Sequence, residues 1–243
     1  MNFNYSIRNI IRKPFSLESG EKYFYLANFF LSSALPISII FFLLALIISF
    51  ANLETNLIKD KWNYPIFLSS ILLIFSSLNF CFCKNIFTKA EITTNISNLF
   101  NWIPMFLIYF GFQKYLKKES QRTNFAKVFL MGSIPVLISC ALQNWFDING
   151  PFGFLNNSII WFMKERNTDL TTNAVAGLFS NPNYTATWLS VSLPFALALL
   201  KVNKKLLQKF ILLLIAALTI YFSVLTLSRN SIIGIFISMF LVI

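Results

Sequence analysis

None of the nine carboxylates of this chain, Glu18, Glu21, Glu54, Asp60, Glu91, Glu119, Asp147, Glu165 and Asp169, lies well inside a long apolar run. Proton- and ion-coupled carriers usually place an ionisable group within their helix bundle, so these residues do not predict such a pump. The chain has no histidine, which removes a His-ligated metal and a Ser-His-Asp triad. Cys81 and Cys83 close one apolar run and Cys140 sits inside another, a spacing that suits neither a disulfide framework nor a metal site. Two polar corners remain. Asn181-Pro182-Asn183 and Ser228-Arg229-Asn230-Ser231 each stand directly before an apolar run. Asn as N-cap with Pro at the first helical position reads as a helix start. A helix N-terminus presents unpaired N–H groups and the positive end of the dipole. With the guanidinium fork of Arg229 beside it, such a place suits a phosphate or diphosphate. The same spacing also fits ordinary caps and an arginine that snorkels to phospholipid headgroups.

Membrane helices must position these corners. Of 243 residues, 56% are hydrophobic and 12% charged, against roughly 25% charged in soluble domains. Apolar segments fall near 23–50, 64–83, 98–113, 125–146, 183–200, 210–227 and 231–243, and about 20 residues suffice for a helix to cross a bilayer. The expected fold is all-α, a polytopic helical membrane protein. It comprises a basic cytoplasmic tail over 1–22, a membrane domain over 23–243 and a periplasmic loop over 147–182. The last segment, 13 residues from Ser231 to Ile243, is too short to cross, so the chain is expected to stop inside a helix, as a truncated product would. The 29 phenylalanines, in company with many Asn, Ile and Lys, fit an A+T-rich gene and a lipid-facing surface and are assigned no function. The first 22 residues carry Arg8, Arg12, Lys13 and Lys22 without an apolar core, so no cleavable signal peptide is read there.

Orientation follows from the preference of Lys and Arg for cytoplasmic loops. Lys114, Lys117, Lys118, Arg122 and Lys127 fill one loop, and Lys201, Lys204, Lys205 and Lys209 fill another. With both inside, 147–182 and the Ser228 corner face outward, and Asp147, Glu165 and Asp169 become the outer carboxylates, any of which could serve as a general base. If 23–50 is one span, 11 of the 20 basic residues lie inside. If it folds back at Pro36 as a hairpin, with Ser32-Ser33-Ala34-Leu35-Pro36 as the break, 15 do. Twenty-eight residues fall short of the ~40 that two full crossings need, so the expected hairpin has shortened or re-entrant helices in a locally thinned bilayer. In the outer loop, the apolar stretch Phe154 to Met163 is expected along the interface as an amphipathic segment. Lys164 and Arg166 follow it, placed either for a lipid-linked anionic substrate or as snorkelling flanks of an aromatic belt.

The stretch Ala176-Gly177-Leu178-Phe179-Ser180-Asn181-Pro182-Asn183-Tyr184-Thr185-Ala186, followed by a span containing Pro194, resembles the G-x-F-x-N-x-N-x-x-A signature of the bacterial O-antigen ligase and polymerase family. Leu225-Thr226-Leu227-Ser228-Arg229-Asn230-Ser231, followed by Gly234, is similar to that family's T-x-S-R-x-x-x-x-G motif. Gln143-Asn144-Trp145-Phe146 leading into Gly150-Pro151-Phe152 resembles the cyanobacterial-type members. The likeness is clearest over 98–243. It implies a GT-C-like membrane glycosyltransferase of the bacterial inner membrane that works without metal or nucleotide sugar. The implied donor is a glycan on undecaprenyl diphosphate, and the acceptor is lipid A core or a second lipid-linked glycan, with membrane lipid around it and no nucleic acid. Arg229 is then expected to hold the departing diphosphate, with Ser228, Asn181, Asn183 and Arg166 as further substrate contacts. Family members continue into a large periplasmic loop and further spans, in which ligases carry an essential histidine, so this stretch alone is expected to be inactive. Relatives that share the Asn-Pro-Asn signature have been proposed as inorganic-carbon transporters, which keeps a membrane transporter open as the alternative.

Overall fold

The computed structural model describes residues 16–52, 60–82, 89–150, 152–154, 159–161 and 174–242. In chain order its helices are α1 (Leu17–Phe30), α2 (Leu35–Ala51), α3 (Tyr64–Phe82), α4 (Lys89–Phe112), α5 (Glu119–Phe146), α6 (Pro182–Val202), α7 (Leu206–Leu225) and α8 (Arg229–Val242). The chain divides into two compact units, residues 1–20 with 44–117 and residues 21–43 with 118–243.

In the first unit, a short 3-10 turn over Gln113–Leu116 follows α4. It carries Tyr115, whose ring is buried and whose hydroxyl donates to the Ala45 carbonyl at 2.7 Å. Ser49 donates to the Gly111 carbonyl, and Asn63 and Gln113 exchange amide hydrogen bonds at 2.6 and 3.3 Å. These polar pairs satisfy groups that would be costly to leave unpaired away from water. Phe67, Leu68, Leu72 and Phe75 lie exposed on α3, an apolar surface suited to lipid.

The second unit holds the turn between α1 and α2. Ser33 N and Ala34 N both donate to the Phe30 carbonyl, ending α1. Pro36 then falls in the first turn of α2, where proline costs no hydrogen bond. Tyr23 stacks on Phe41, Phe24 meets Phe42, and Ser38 Oγ donates to the Ala27 carbonyl at 2.7 Å. Residue numbers that fall on one side as they rise on the other define an antiparallel hairpin. The segment 23–50 is therefore two helices, and the break at 31–34 overlaps the expected 32–36, with Pro36 itself inside the second helix. At 14 and 17 residues they measure about 21 and 26 Å, short of the ~30 Å apolar core. Reporters fused at Asn2 and at Asn56 are accordingly expected to read the same, cytoplasmic side. Opposite sides would exclude a hairpin inserted from the cytoplasm.

The rest of this unit is a bundle. Ala126 and Leu130 of α5, Leu193, Ala196 and Leu199 of α6, Ala216 of α7 and Ile235 of α8 form one buried cluster. Val136, Leu137 and Cys140 of α5 join Val175, Leu178, Leu189 and Phe222 in a second. Gly132 of α5 lets the backbone of Phe29 come close, for a Cβ there would lie 2.7 Å from the Phe29 carbonyl oxygen. Small residues at such crossings are how membrane helices pack. α5, α6 and α7 are each long and apolar enough to cross a bilayer. On α7, Leu206, Leu207, Phe210 and Leu213 are well exposed, and only lipid would bury them. The chain is a membrane protein.

Helices make up nearly all of the described structure, as the all-α expectation has it, and the segment between α5 and α6 adds a short pair of strands. Phe152–Phe154 (β1) pairs antiparallel with Ile159–Trp161 (β2), Gly153 opposite Ile160. Of the segment Phe154 to Met163, expected along the interface, the described residues are Phe154 in β1 and Ile159–Trp161 in β2. Aromatic and β-branched residues favour a pleated strand, and pairing satisfies backbone groups that a single segment at the interface would leave open.

Candidate functional site

Asn181 takes the N-cap position of α6 in extended conformation, and its side-chain oxygen accepts from Asn183 N at 2.9 Å, with Pro182 opening the helix. This is the cap that the sequence predicts. Ser228 occupies the position before α8, and its carbonyl accepts from Ser231 N at 3.1 Å and Ile232 N at 3.4 Å. The corner between α7 and α8 turns at Leu227, a non-glycine residue at φ 53°, a conformation that costs an L-residue roughly 1–2 kcal/mol.

α6 and α8 run parallel. Gly234 faces Ser190, close enough that a Cβ would meet the Ser190 Cβ at 2.8 Å. Ser238 Oγ reaches the Ser190 carbonyl at 3.3 Å, and Lys201 Nζ donates to the Val242 carbonyl. Numbers that rise together put both N-termini at one end of the bundle. Asn181 precedes Ser190 by nine residues and Ser228 precedes Gly234 by six, so the two caps differ in level by about 4.5 Å along the axis. Asn181, Asn183 and Arg229 are exposed at this end and Ser228 is buried. Arg229 has no hydrogen-bond or ion-pair partner among the described residues. From residue 170 onward the chain has no acidic residue, so no carboxylate stands on α6, α7 or α8, although the negative dipole ends of α5 and α7 share this end of the bundle. Arg166, Lys164, Glu165 and Asp169 lie outside the described residues. Asp147 is exposed at the C-cap of α5, where its carboxylate accepts from Asn149 at 3.2 Å.

The two corners share an anchor that spacing alone did not single out. Residues 175–178 are buried, and their backbone is held from three sides. Gln143 Oε1 accepts from Ala176 N at 2.8 Å and Gly177 N at 3.0 Å. Val175 N donates to the carbonyl of Leu225, the last residue of α7, at 3.0 Å. Thr185, in the first turn of α6, donates to the Ala176 carbonyl. One buried loop therefore ties the end of α5, the start of α6 and the end of α7, just before the Arg229 corner. The signal that could have found it is the amide of Gln143, three residues from the end of an apolar run: a polar side chain there needs a partner.

Gly177 sits at φ 56° with Cys140 Sγ 2.8 Å and Ser139 Oγ 3.0 Å from where a Cβ would lie. Both the backbone and the space demand glycine. Gly177→Ala is expected to lower the thermal midpoint in detergent clearly, because alanine where φ is positive destabilises. An unchanged midpoint would mean that the loop is not seated against α5.

Compared with known families, curated proteins and solved structures, the chain matches no family model, no curated protein and no solved structure.

Proposed function

We propose that this protein is part of a GT-C-like membrane glycosyltransferase that ligates or polymerises glycans carried on undecaprenyl diphosphate, at the periplasmic face of the bacterial inner membrane. The observation that supports it best is the end of the bundle where α6 and α8 begin side by side, with Arg229 exposed and no acidic residue on α6, α7 or α8. Two helix N-termini and a guanidinium attract a diphosphate through the same field.

In such a reaction the lipid diphosphate is already a good leaving group. The protein has to hold the two glycans in reacting geometry and stabilise charge as it gathers on the departing oxygens. Arg229 is assigned that stabilisation. Ser228, Asn181 and Asn183 shape the rim, and Arg166 is assigned to meet the same lipid-linked anion from the outer loop. The acceptor is lipid A core or a second lipid-linked glycan, and neither metal nor nucleotide sugar is invoked. Glycan transfer by the complete glycosyltransferase carrying Arg229→Lys or Arg229→Ala tests the reading.

A further inference from the structure

We propose that the seam between the first turns of α6 and α8 is a phosphate-oxygen subsite in which Ser231 Oγ donates the innermost hydrogen bond and Ser223 Oγ lies in reserve behind it. The inference rests on the reading of this end of the bundle as a diphosphate site, and it goes further by assigning donors at positions that the sequence motifs leave unspecified.

Ser231 and Ser223 are fully buried, and their hydroxyls have no hydrogen-bond partner among the described residues. Serines in membrane helices normally discharge such hydroxyls on a carbonyl one turn back, as Ser133 and Ser238 do here at 2.9 and 2.7 Å. Ser231 Oγ uses neither outlet: four positions earlier stands Leu227, outside the helix at φ 53°, and the Ser228 carbonyl, three earlier, already accepts from Ser231 N and Ile232 N.

Placement gives the orphan a direction. Ser231, Ile235 and Ser238 form the buried stripe of α8, and Gly234 beside them faces Ser190 of α6. Ser231 stands one turn nearer the N-termini than Gly234, so its hydroxyl occupies the seam between the two helix starts. Side chains in a helix also tilt toward its N-terminus. Ser223 stands in the last turn of α7, two residues before that helix ends at Leu225, where Val175 N is bound and the corner to Ser228 begins.

The field there selects the guest. Two dipoles present their positive ends and Arg229 is close by in sequence. The last carbonyls of α7, the negative end at this corner, are already taken by Thr226 N, Leu227 N and Val175 N, and Asp147 stands apart at the C-cap of α5 against Asn149, which together disfavour a cation. A hydroxyl offered to an anionic oxygen makes a charge-assisted bond, stronger than one to a neutral acceptor. The shared chemistry of the guest is a phosphate oxygen, whether from a prenyl diphosphate, free pyrophosphate or a phospholipid headgroup. Both hydroxyls are covered in the ligand-free chain, so binding draws the first turn of α8 away from α6, with Leu227 as the residue that yields.

The test uses the purified chain in neutral detergent, with binding of farnesyl diphosphate, inorganic pyrophosphate and phosphatidylglycerol measured separately for wild type, Ser231→Ala, Ser223→Ala and Arg229→Lys. Ser231→Ala is expected to raise the ligand-free thermal midpoint, since it removes a buried hydroxyl without a partner. It is also expected to weaken binding of farnesyl diphosphate about tenfold or more, with Ser223→Ala moving both quantities the same way by less. Opposite signs for stability and binding are what a merely structural serine would not give. An equal loss for pyrophosphate assigns the subsite to phosphate alone. A loss confined to phosphatidylglycerol would overturn it as a substrate site and leave a headgroup contact. If Ser231→Ala binds within twofold of wild type while Arg229→Lys binds weakly, the diphosphate reading stands and the serine subsite falls. If wild type binds none of the three, or Arg229→Lys binds as wild type does, the diphosphate reading itself falls.

Discussion

In the complete glycosyltransferase of which this chain is proposed to be part, Arg229→Lys is expected to lower glycan transfer by about 10²–10³, the usual cost of losing one donor to a developing anion, with the protein inserted at normal levels. Lysine keeps the charge but presents a single ammonium in place of a planar fork that grips two oxygens, so the comparison isolates geometry from charge. Arg229→Ala should lose at least as much. The side chain is exposed at the start of α8, so neither substitution disturbs packing, and stability should hold. A headgroup-snorkelling arginine makes a different forecast, since a lysine at a helix end snorkels equally well. Wild-type transfer by a normally inserted Arg229→Lys protein would therefore remove the diphosphate assignment and leave a lipid-anchoring residue.

What the sequence disclosed and what it hid follow from the range of the forces involved. Local rules were legible. Asn181-Pro182 announced the start of α6, and the length and lack of charge of 183–200 and 210–227 announced two helices able to cross a bilayer, because capping and hydrophobic length act within a few residues. The hairpin over 23–50 was suggested by charge, and its break at 31–34 overlaps the expected 32–36, with Pro36 itself just inside the next helix, where proline is most at ease. Long-range partners were not legible. That Gln143 would reach the amides of Ala176 and Gly177, 33 and 34 residues away, depends on how α5 packs beside α6, which no local pattern encodes. The orphan hydroxyls of Ser223 and Ser231 were hidden for the same reason: burial of a serine in an apolar run is visible only once its neighbours are placed. The parallel arrangement of α6 and α8 lies between these cases. Alternation of spans across a membrane implies it, and the Gly234–Ser190 contact supplies the register that alternation cannot.

Gln143→Leu is expected to be the most destabilising of the substitutions considered. Leucine is close to glutamine in size, so little cavity is created, and the effect isolates the amide. In the wild type, one oxygen accepts two buried N–H groups, while the same amide donates to Asn149 Oδ1 at 3.3 Å. Removing it leaves Ala176 N and Gly177 N buried without an acceptor, at about 1–3 kcal/mol each, so roughly 2–6 kcal/mol in all if the loop stays in place. The chain has a cheaper response, which is to let residues 174–178 leave their seat and find water at the membrane boundary. Either way Val175 releases the Leu225 carbonyl less reluctantly and Thr185 loses a fixed partner, so the starts of α6 and α8 lose their common support. The expected result is a thermal midpoint in detergent lowered by many degrees, together with a loss of anion binding. Gln143→Glu should fall between Leu and wild type, because a carboxylate still accepts both N–H groups but pays for its buried charge. A Gln143→Leu protein as stable as wild type would show that these two amides do not depend on the side chain, and the loop would no longer count as the tie between the two corners.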